Sequence, residues 1–162
     1  MFKAAFKILH CARFFPYTMP ISIRLALLND AATIATLSDQ LGYRSQDDSI
    51  QKRLKQLLNN HDHLVLVALK DNEVTGWIHC FYNLRVESDP FVEIGGLVVD
   101  EGHRQSGIGK MLVEEILAWA RKKGCEKVRV RCNVIRRESH RFYEKIGFTE
   151  NKEQKVFDIK PG

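Results

Sequence analysis

From Ile21 onward apolar and polar side chains alternate. Ile21, Ile23 and Leu25 fall on one side of ISIRLALL, which predicts a first strand over residues 21–28. The period then lengthens. Ala31, Ile34, Ala35 and Leu37 recur at helical spacing behind Asn29 or Asp30, either of which can cap a helix running to about Leu41, and Gly42 ends it. A second helix starts at Asp47 or Asp48, carries Ile50, Leu54, Leu57 and Leu58 as its apolar stripe, and ends near Asn60. HLVLVALK is an apolar run of strand length; DNE turns it, and VTGWIHCFYNL returns. After a break at ESDP comes FVEIGGLVVD, a strand whose paired glycines predict a bulge or a splayed edge. The strongest helical pattern spans Gly107 to Lys123, with Ile108, Leu112, Ile116 and Trp119 in phase. KVRVRC is a further strand, Glu138 to Ile146 a short helix stopped by Gly147, and FTEN and KVFDIK a closing pair of strands. The order β-α-α-β-β-β-α-β-α-β-β, with no internal repeat or linker, describes a single α/β domain: a mixed, mostly antiparallel sheet flanked by helices.

Composition refines this picture without changing it. A chain of 162 residues, 44% hydrophobic and 28% charged, can bury a core without disulfide staples. Lys3, Lys7 and Arg13 supply three of the five net positive charges from an opening segment without acids. The remainder is near balance, and no stacking-aromatic motif accompanies the charge, so nucleic acid is not an expected partner. The opening segment is interrupted by Lys7, His10 and Arg13, lacks the apolar core of a signal peptide, and is too short and charged to span a bilayer. Residues 1–18 are read as an extension or the product of an upstream start codon, and 19–162 as the domain. With no membrane segment or lipidation motif, a cytoplasmic location is expected. Cys11, Cys80, Cys125 and Cys132 form no CxxC pair and read as reduced thiols. His61 and His63 would share a strand face, but no third ligand stands near them, so no metal is assigned.

The stretch RQSGIGK joins a buried strand to the long helix, with Gly107 and Gly109 inside it and Arg104 and Lys110 at its ends. A helix N-terminus presents unpaired N–H groups and partial positive charge, a layout suited to a diphosphate. Neither familiar phosphate loop fits. Met111 follows Gly109-Lys110 where a Walker loop needs Ser or Thr, and Leu112 occupies the third glycine position of a dinucleotide fingerprint.

From Ile23 to Ile159 the chain resembles the GNAT family of N-acetyltransferases. The resemblance is carried by EIGGLVVDEGHRQSGIG, which contains R-x-x-G-x-G after a strand ending L-x-V, and by CNVIRRESHRFYEKIGF. It implies the GNAT acyl-CoA N-acyltransferase fold, acetyl-CoA as co-substrate, and acetyl transfer to an amine. Leu97, Val98 and Val99 would then lend backbone groups to the pantetheine arm as if it were an added strand. Arg104, Gln105, Ser106, Gly107, Ile108, Gly109 and Lys110 would cradle the pyrophosphate, and Asn133 would hydrogen-bond the pantetheine or phosphate region. Tyr143 matches the family's acid to the departing thiolate, and Glu93, on the strand before the loop, its base acting through water. Another branch of the family carries its glutamate on the strand preceding Asn133; here that strand reads VRVRC, which argues against acetylation of ribosomal protein N-termini. Relatives are commonly homodimers, so a homodimer is compatible with the resemblance.

The chemistry sets its own demands. A typical alkylammonium, with a pKa of about 10.4, must lose a proton before it attacks. An oxyanion needs a donor, for which the backbone N–H near Val98 or Val99 is placed, and the leaving thiolate benefits from an acid. Tyr43, His79, Tyr82, Glu87 and Asp89 are candidates for the acceptor entrance. An acidic mouth there would favour a small cationic amine or an aminoglycoside-like compound. A lysine or N-terminal amine of a protein, and a non-catalytic acyl-CoA-binding module, stand as alternatives.

Overall fold

The computed structural model describes residues 20–40, 42 and 47–162. The opening segment and Tyr43 lie outside the described residues. The elements are β1 (Ser22–Leu25), α1 (Ala31–Asp39), α2 (Asp47–Leu58), β2 (His63–Lys70), β3 (Glu73–Asn83), β4 (Phe91–Val99), α3 (Ile108–Lys122), β5 (Val128–Val130) and α4 (Arg137–Lys145). Single 3-10 turns precede α1 and follow β4. The five strands lie in chain order, β1 to β4 antiparallel and β5 parallel to β4. Asp71 and Asn72, both at positive φ, make the two-residue turn between β2 and β3, a backbone state that Asp and Asn tolerate and that matches strand twist.

Alternation along the strands divides the core into two layers. Leu66, Ala68, Ile78, Cys80, Val92 and Ile94 face α3, whose Ile108, Leu112, Val113 and Ile116 complete the larger cluster. Val65 and Val67 face the other way, onto Ala31, Ile34 and Ala35 of α1 and Ile50 and Leu54 of α2. Burial of side chains such as Ile78 and Ile116, both fully enclosed, contributes about 1.5–3 kcal/mol each. Cys80, Cys125 and Cys132 are free thiols, and burial pushes Cys80 up to about 12, which makes it inert. No helix among the described residues is long and apolar enough to cross a membrane.

The paired glycines of β4 form the predicted irregularity. His79 pairs with Gly96 but Cys80 with Ile94, so Gly95 is the extra residue of a bulge. A Cβ on Gly96 would stand 2.7 Å from Cη2 of Trp77, so glycine lets the indole lie under the bulged strand. The closing pair of strands expected from FTEN and KVFDIK is not formed. Residues 148–162 belong to no strand, because strand-forming composition needs a partner edge and this segment is not laid against the sheet of its own chain.

The start of α1 is fixed by charge. Arg24 on β1 reaches Asp30 through two hydrogen bonds of 2.7 and 2.9 Å, and Asp30 also accepts the Leu27 N–H at 2.7 Å. The hydrogen bond from Arg24 is the main reason the Asp30 carboxyl titrates below its usual range, against the opposing effect of burial. Asp30→Ala is expected to destabilise the fold by about 1–3 kcal/mol at pH 7, read by urea denaturation. Because the folded value is lowered, that difference is full above the unfolded value of about 3.9 and vanishes as the pH falls through the folded one.

Candidate active site

Only Val92, Glu93 and Ile94 pair with β5, opposite Val128, Arg129 and Val130. Beyond them the strands part. The resulting split, of about 120 Å³, is lined by Gly95, Gly96 and Leu97 on one side and by Arg131, Cys132, Asn133, Ser139 and Tyr143 on the other. The β4 edge past Ile94 has no strand beside it and presents peptide groups to the split, as an extended ligand arm requires. Val98 is buried against Trp77, while Leu97 and Val99 pack on the α3 layer, so these residues offer backbone rather than side chains.

The loop at the start of α3 is open. Gly107, the N-cap residue, has φ +88 and nothing within 4 Å of where a Cβ would sit. The Met111 N–H bonds the Gly107 carbonyl at 3.0 Å, which leaves the N–H groups of Ile108, Gly109 and Lys110 as orphan donors of the first turn, and no side chain caps them. An uncapped helix start beside an open split fits a diphosphate-bearing acyl carrier. Gly109 has a second reason to be glycine. Its absent Cβ would lie 3.0 Å from Cζ of Phe142, so glycine here admits an aromatic ring from α4. Ile108 is likewise buried, and Ser106 donates its hydroxyl to the His103 carbonyl at 2.5 Å. Gln105 holds φ 63. Arg104 and Lys110 sit beside Glu101 (3.3 Å) and Glu114 (3.8 Å), exposed pairs that a phosphate can replace at little cost.

The sequence did not reveal what holds this loop. Asp100 accepts from the Gly102 N–H, from Gln40 Nε2 at 3.0 Å and shares a contact of 3.1 Å with His103 Nδ1; Gln40 Oε1 in turn accepts the Glu101 N–H. The Gln40 hydrogen bond, then that of His103, draws the Asp100 carboxyl below its usual range. The end of α1 is thereby tied to the turn that aims the helix start.

Glu93 is 7% exposed, and both of its oxygens are engaged. Asn83 Nδ2 donates to Oε2 at 3.1 Å, and Arg131 reaches Oε1 through Nε at 3.2 Å. Arg131 also lines the split, so the buried carboxylate is linked to that opening by one half-exposed guanidinium. Neither Asn83 nor Arg131 was expected in the site; the basic strand VRVRC had been read only as lacking an acid. Tyr143, which lines the split on the same side as Arg131, is held edge-on between Phe142 and Phe148. Burial above all, with Cys132 beside it, pushes its phenol up to about 12, against a smaller opposite effect of Arg136. The phenol therefore keeps its proton across the neutral range, and among the described residues its hydroxyl has no hydrogen-bond partner. Asn133 lines the split but commits Oδ1 to the Ile135 N–H at 3.1 Å.

The expected entrance is not assembled as a group. Tyr82 shares the parity of Ile78 and Cys80 and packs on the α3 layer, the face away from Glu93. Glu87 pairs with Arg85 at 3.5 Å, and Asp89 belongs to a groove of about 590 Å³ at the opposite ends of β4 and β5, with Pro90, Gly124, Glu126 and Lys127. His79 does lie on the Glu93 face, stacked on His63 with a 3.0 Å contact from Nε2 to the neighbour's Nδ1. Burial, then repulsion from His63, pushes His79 down to about 4, so it is neutral at physiological pH.

Two strands that part beside an uncapped helix start let a sheet receive an extended, diphosphate-bearing arm as though it were one more strand, as a CoA-dependent acyltransferase requires. Within that class the chain belongs to the Acetyltransferase (GNAT) family, whose profile it matches over residues 28–148. It is 27% identical over 124 residues to aminoglycoside N(6')-acetyltransferase type 1 of Acinetobacter genomosp. 13, covering 70% of this chain and 85% of that protein. Against the aminoalkylphosphonate N-acetyltransferase of Salmonella typhimurium the identity is 32% over 120 residues, covering 71% and 73%. An aminoglycoside 6'-N-acetyltransferase structure from Acinetobacter baumannii superposes with a TM-score of 0.79 at 20% identity, over 88% of this chain and 100% of the other. The chain is an acetyl-CoA-dependent N-acetyltransferase, with acetyl-CoA as co-substrate.

Proposed function

We propose that the chain acetylates the primary amine of a small acceptor by direct attack, with Glu93 as base and Tyr143 as acid. Acetyl-CoA supplies a thioester whose carbonyl carbon is open to an amine. The observation that carries the reading is the split itself: Tyr143 stands on one wall, and the arginine that grips Glu93 stands on the same rim. Glu93 takes the ammonium proton through water, since both oxygens already have partners and the carboxylate is enclosed. Peptide N–H groups of β4 near Val98 and Val99 stabilise the oxyanion, and Tyr143 donates to the sulfur as the C–S bond breaks. The uncapped start of α3, with Arg104 to Lys110, holds the pyrophosphate, and Leu97 to Val99 and Asn133 align the pantetheine arm.

An aminoglycoside-like or other small cationic amine is the first acceptor class, supported by relatives with that activity. A second class has its own support in this chain. Lys127 and Arg129 both approach the Phe91 ring, at 5.5 and 4.3 Å, on the face where Arg131 holds Glu93, a cationic stripe suited to an amine that also bears a phosphonate or phosphate. Thiol release from acetyl-CoA, measured with aminoglycosides, polyamines, aminoalkylphosphonates, amino sugars and basic peptides, tests the reading. Release with a small amine is expected. Release with peptides alone overturns the acceptor class, and binding of acetyl-CoA without release by any amine overturns catalysis.

A further inference from the structure

The loop that leads into α3 needs an outside support. Residues 104–107 are all exposed, and Gln105 and Gly107 both stand at positive φ. A segment of that kind keeps one shape only where its surroundings hold it. The turn before it is shaped from within: the Asp100 N–H donates to the Thr75 carbonyl at 2.8 Å, and Asp100 Oδ1 accepts the Gly102 N–H at 2.9 Å. The outside support is Gln40, the C-cap residue of α1. Its Nε2 donates to Asp100 Oδ2 at 3.0 Å, and its Oε1 accepts the Glu101 N–H at 3.1 Å. Both ends of one amide are therefore engaged on the turn. α1 is a firm base for this grip. Arg24 holds Asp30 at its start, and Ala31, Ile34 and Ala35 are buried in the core layer on which Trp77 packs. Trp77 lies in turn under Gly96, at the bulge beside the split. One helix thus refers the turn before α3 to the same layer that carries the bulge.

We propose that Gln40 is a positioning residue for the co-substrate: it fixes the pyrophosphate cradle relative to the split, so that the diphosphate and the pantetheine arm are held at once. The inference rests on the assignment of Arg104 to Lys110 to the pyrophosphate. Gln40 acts through Asp100 and Glu101 rather than on the ligand. Two ends of one ligand contribute together only when their sites already stand at the right spacing; otherwise, ordering the loop costs part of what the phosphates contribute. The side chain has to be an amide, because it donates to a carboxylate on one side and accepts from a peptide N–H on the other. Methionine has the length and makes neither bond. Glutamate keeps the acceptor for the Glu101 N–H but turns its second oxygen on Asp100, where like charges repel.

Titration calorimetry of the full-length chain with CoA, and with pantetheine, which lacks the phosphates, tests this and needs no acceptor amine. Gln40→Met is expected to weaken CoA binding about tenfold, as loss of two hydrogen bonds implies, and to leave pantetheine within about twofold of wild type. Gln40→Glu is expected to lose more CoA affinity than Gln40→Met. Urea denaturation of the same variants reads stability separately. A lowered midpoint with an unchanged ratio of CoA to pantetheine affinity makes Gln40 a structural residue and overturns the proposal, as does an equal loss for both ligands. The Arg104→Ala and Lys110→Ala double variant tells the two readings apart. If it lowers that ratio and Gln40→Met does not, the role of Gln40 falls alone; if neither lowers it, the pyrophosphate assignment falls as well.

Discussion

Tyr143→Phe is expected to lower kcat for CoA release about a hundredfold, with KM for acetyl-CoA changed by less than about threefold. The substitution keeps the ring that packs edge-on to Phe142 and Phe148 and deletes only the hydroxyl. The loss then falls on the step in which the thiolate departs. The pH profile adds a second readout. Because the phenol is pushed up to about 12, its neutral, donating form is full through the range where the wild type works, and its ionisation removes no activity below about pH 10. Steady-state kinetics of both proteins from pH 6 to 10 measure this. A variant within threefold of wild type in kcat would make Tyr143 a packing aromatic.

Glu93→Gln is expected to reduce kcat/KM for the amine about a hundredfold at pH 7 and to regain activity as the pH rises. The amide keeps the size of the carboxylate and an oxygen for Asn83 or Arg131, so the fold is retained while the proton acceptor is lost. Without a base the enzyme depends on amine already neutral in solution. That fraction rises about tenfold per pH unit until it levels near the amine's own pKa of about 10.4. A log-rate slope of one in the variant, over a pH range where the wild type is flat, is the signature. A parallel loss at every pH would instead assign Glu93 to holding Arg131 in place.

Much of the framework was legible because burial leaves a period in the sequence. β2, β3 and β4 begin and end within about a residue of the apolar runs that announced them, and α3 follows its stripe from Ile108 to Lys122. Gly95 and Gly96 announced the bulge because few other residues suit one. Tyr82 was misplaced although the sequence contained the answer: two and four residues before it lie Cys80 and Ile78, whose face it must share. The grip of Arg131 on Glu93 was not legible, since it depends on the register of β5 against β4, a pairing set by tertiary packing. Gly109 resembled a phosphate glycine and is also a packing glycine, because Phe142 arrives from more than thirty residues further along. KVFDIK has the composition of a strand, and composition does not say which sheet edge a strand will find.

The order of the sheet bears on how the enzyme comes into being. Three strands, β2 to β4, follow one another as a meander of neighbours, so that part of the sheet needs only short-range closure and can organise early. The parallel joint is different: β5 reaches β4 only after α3 has crossed the face between them, and three residue pairs hold it. The split lies at the end of that joint. The split is therefore completed by a long-range closure, and a chain that has paired β2 to β4 still lacks a place for the thioester.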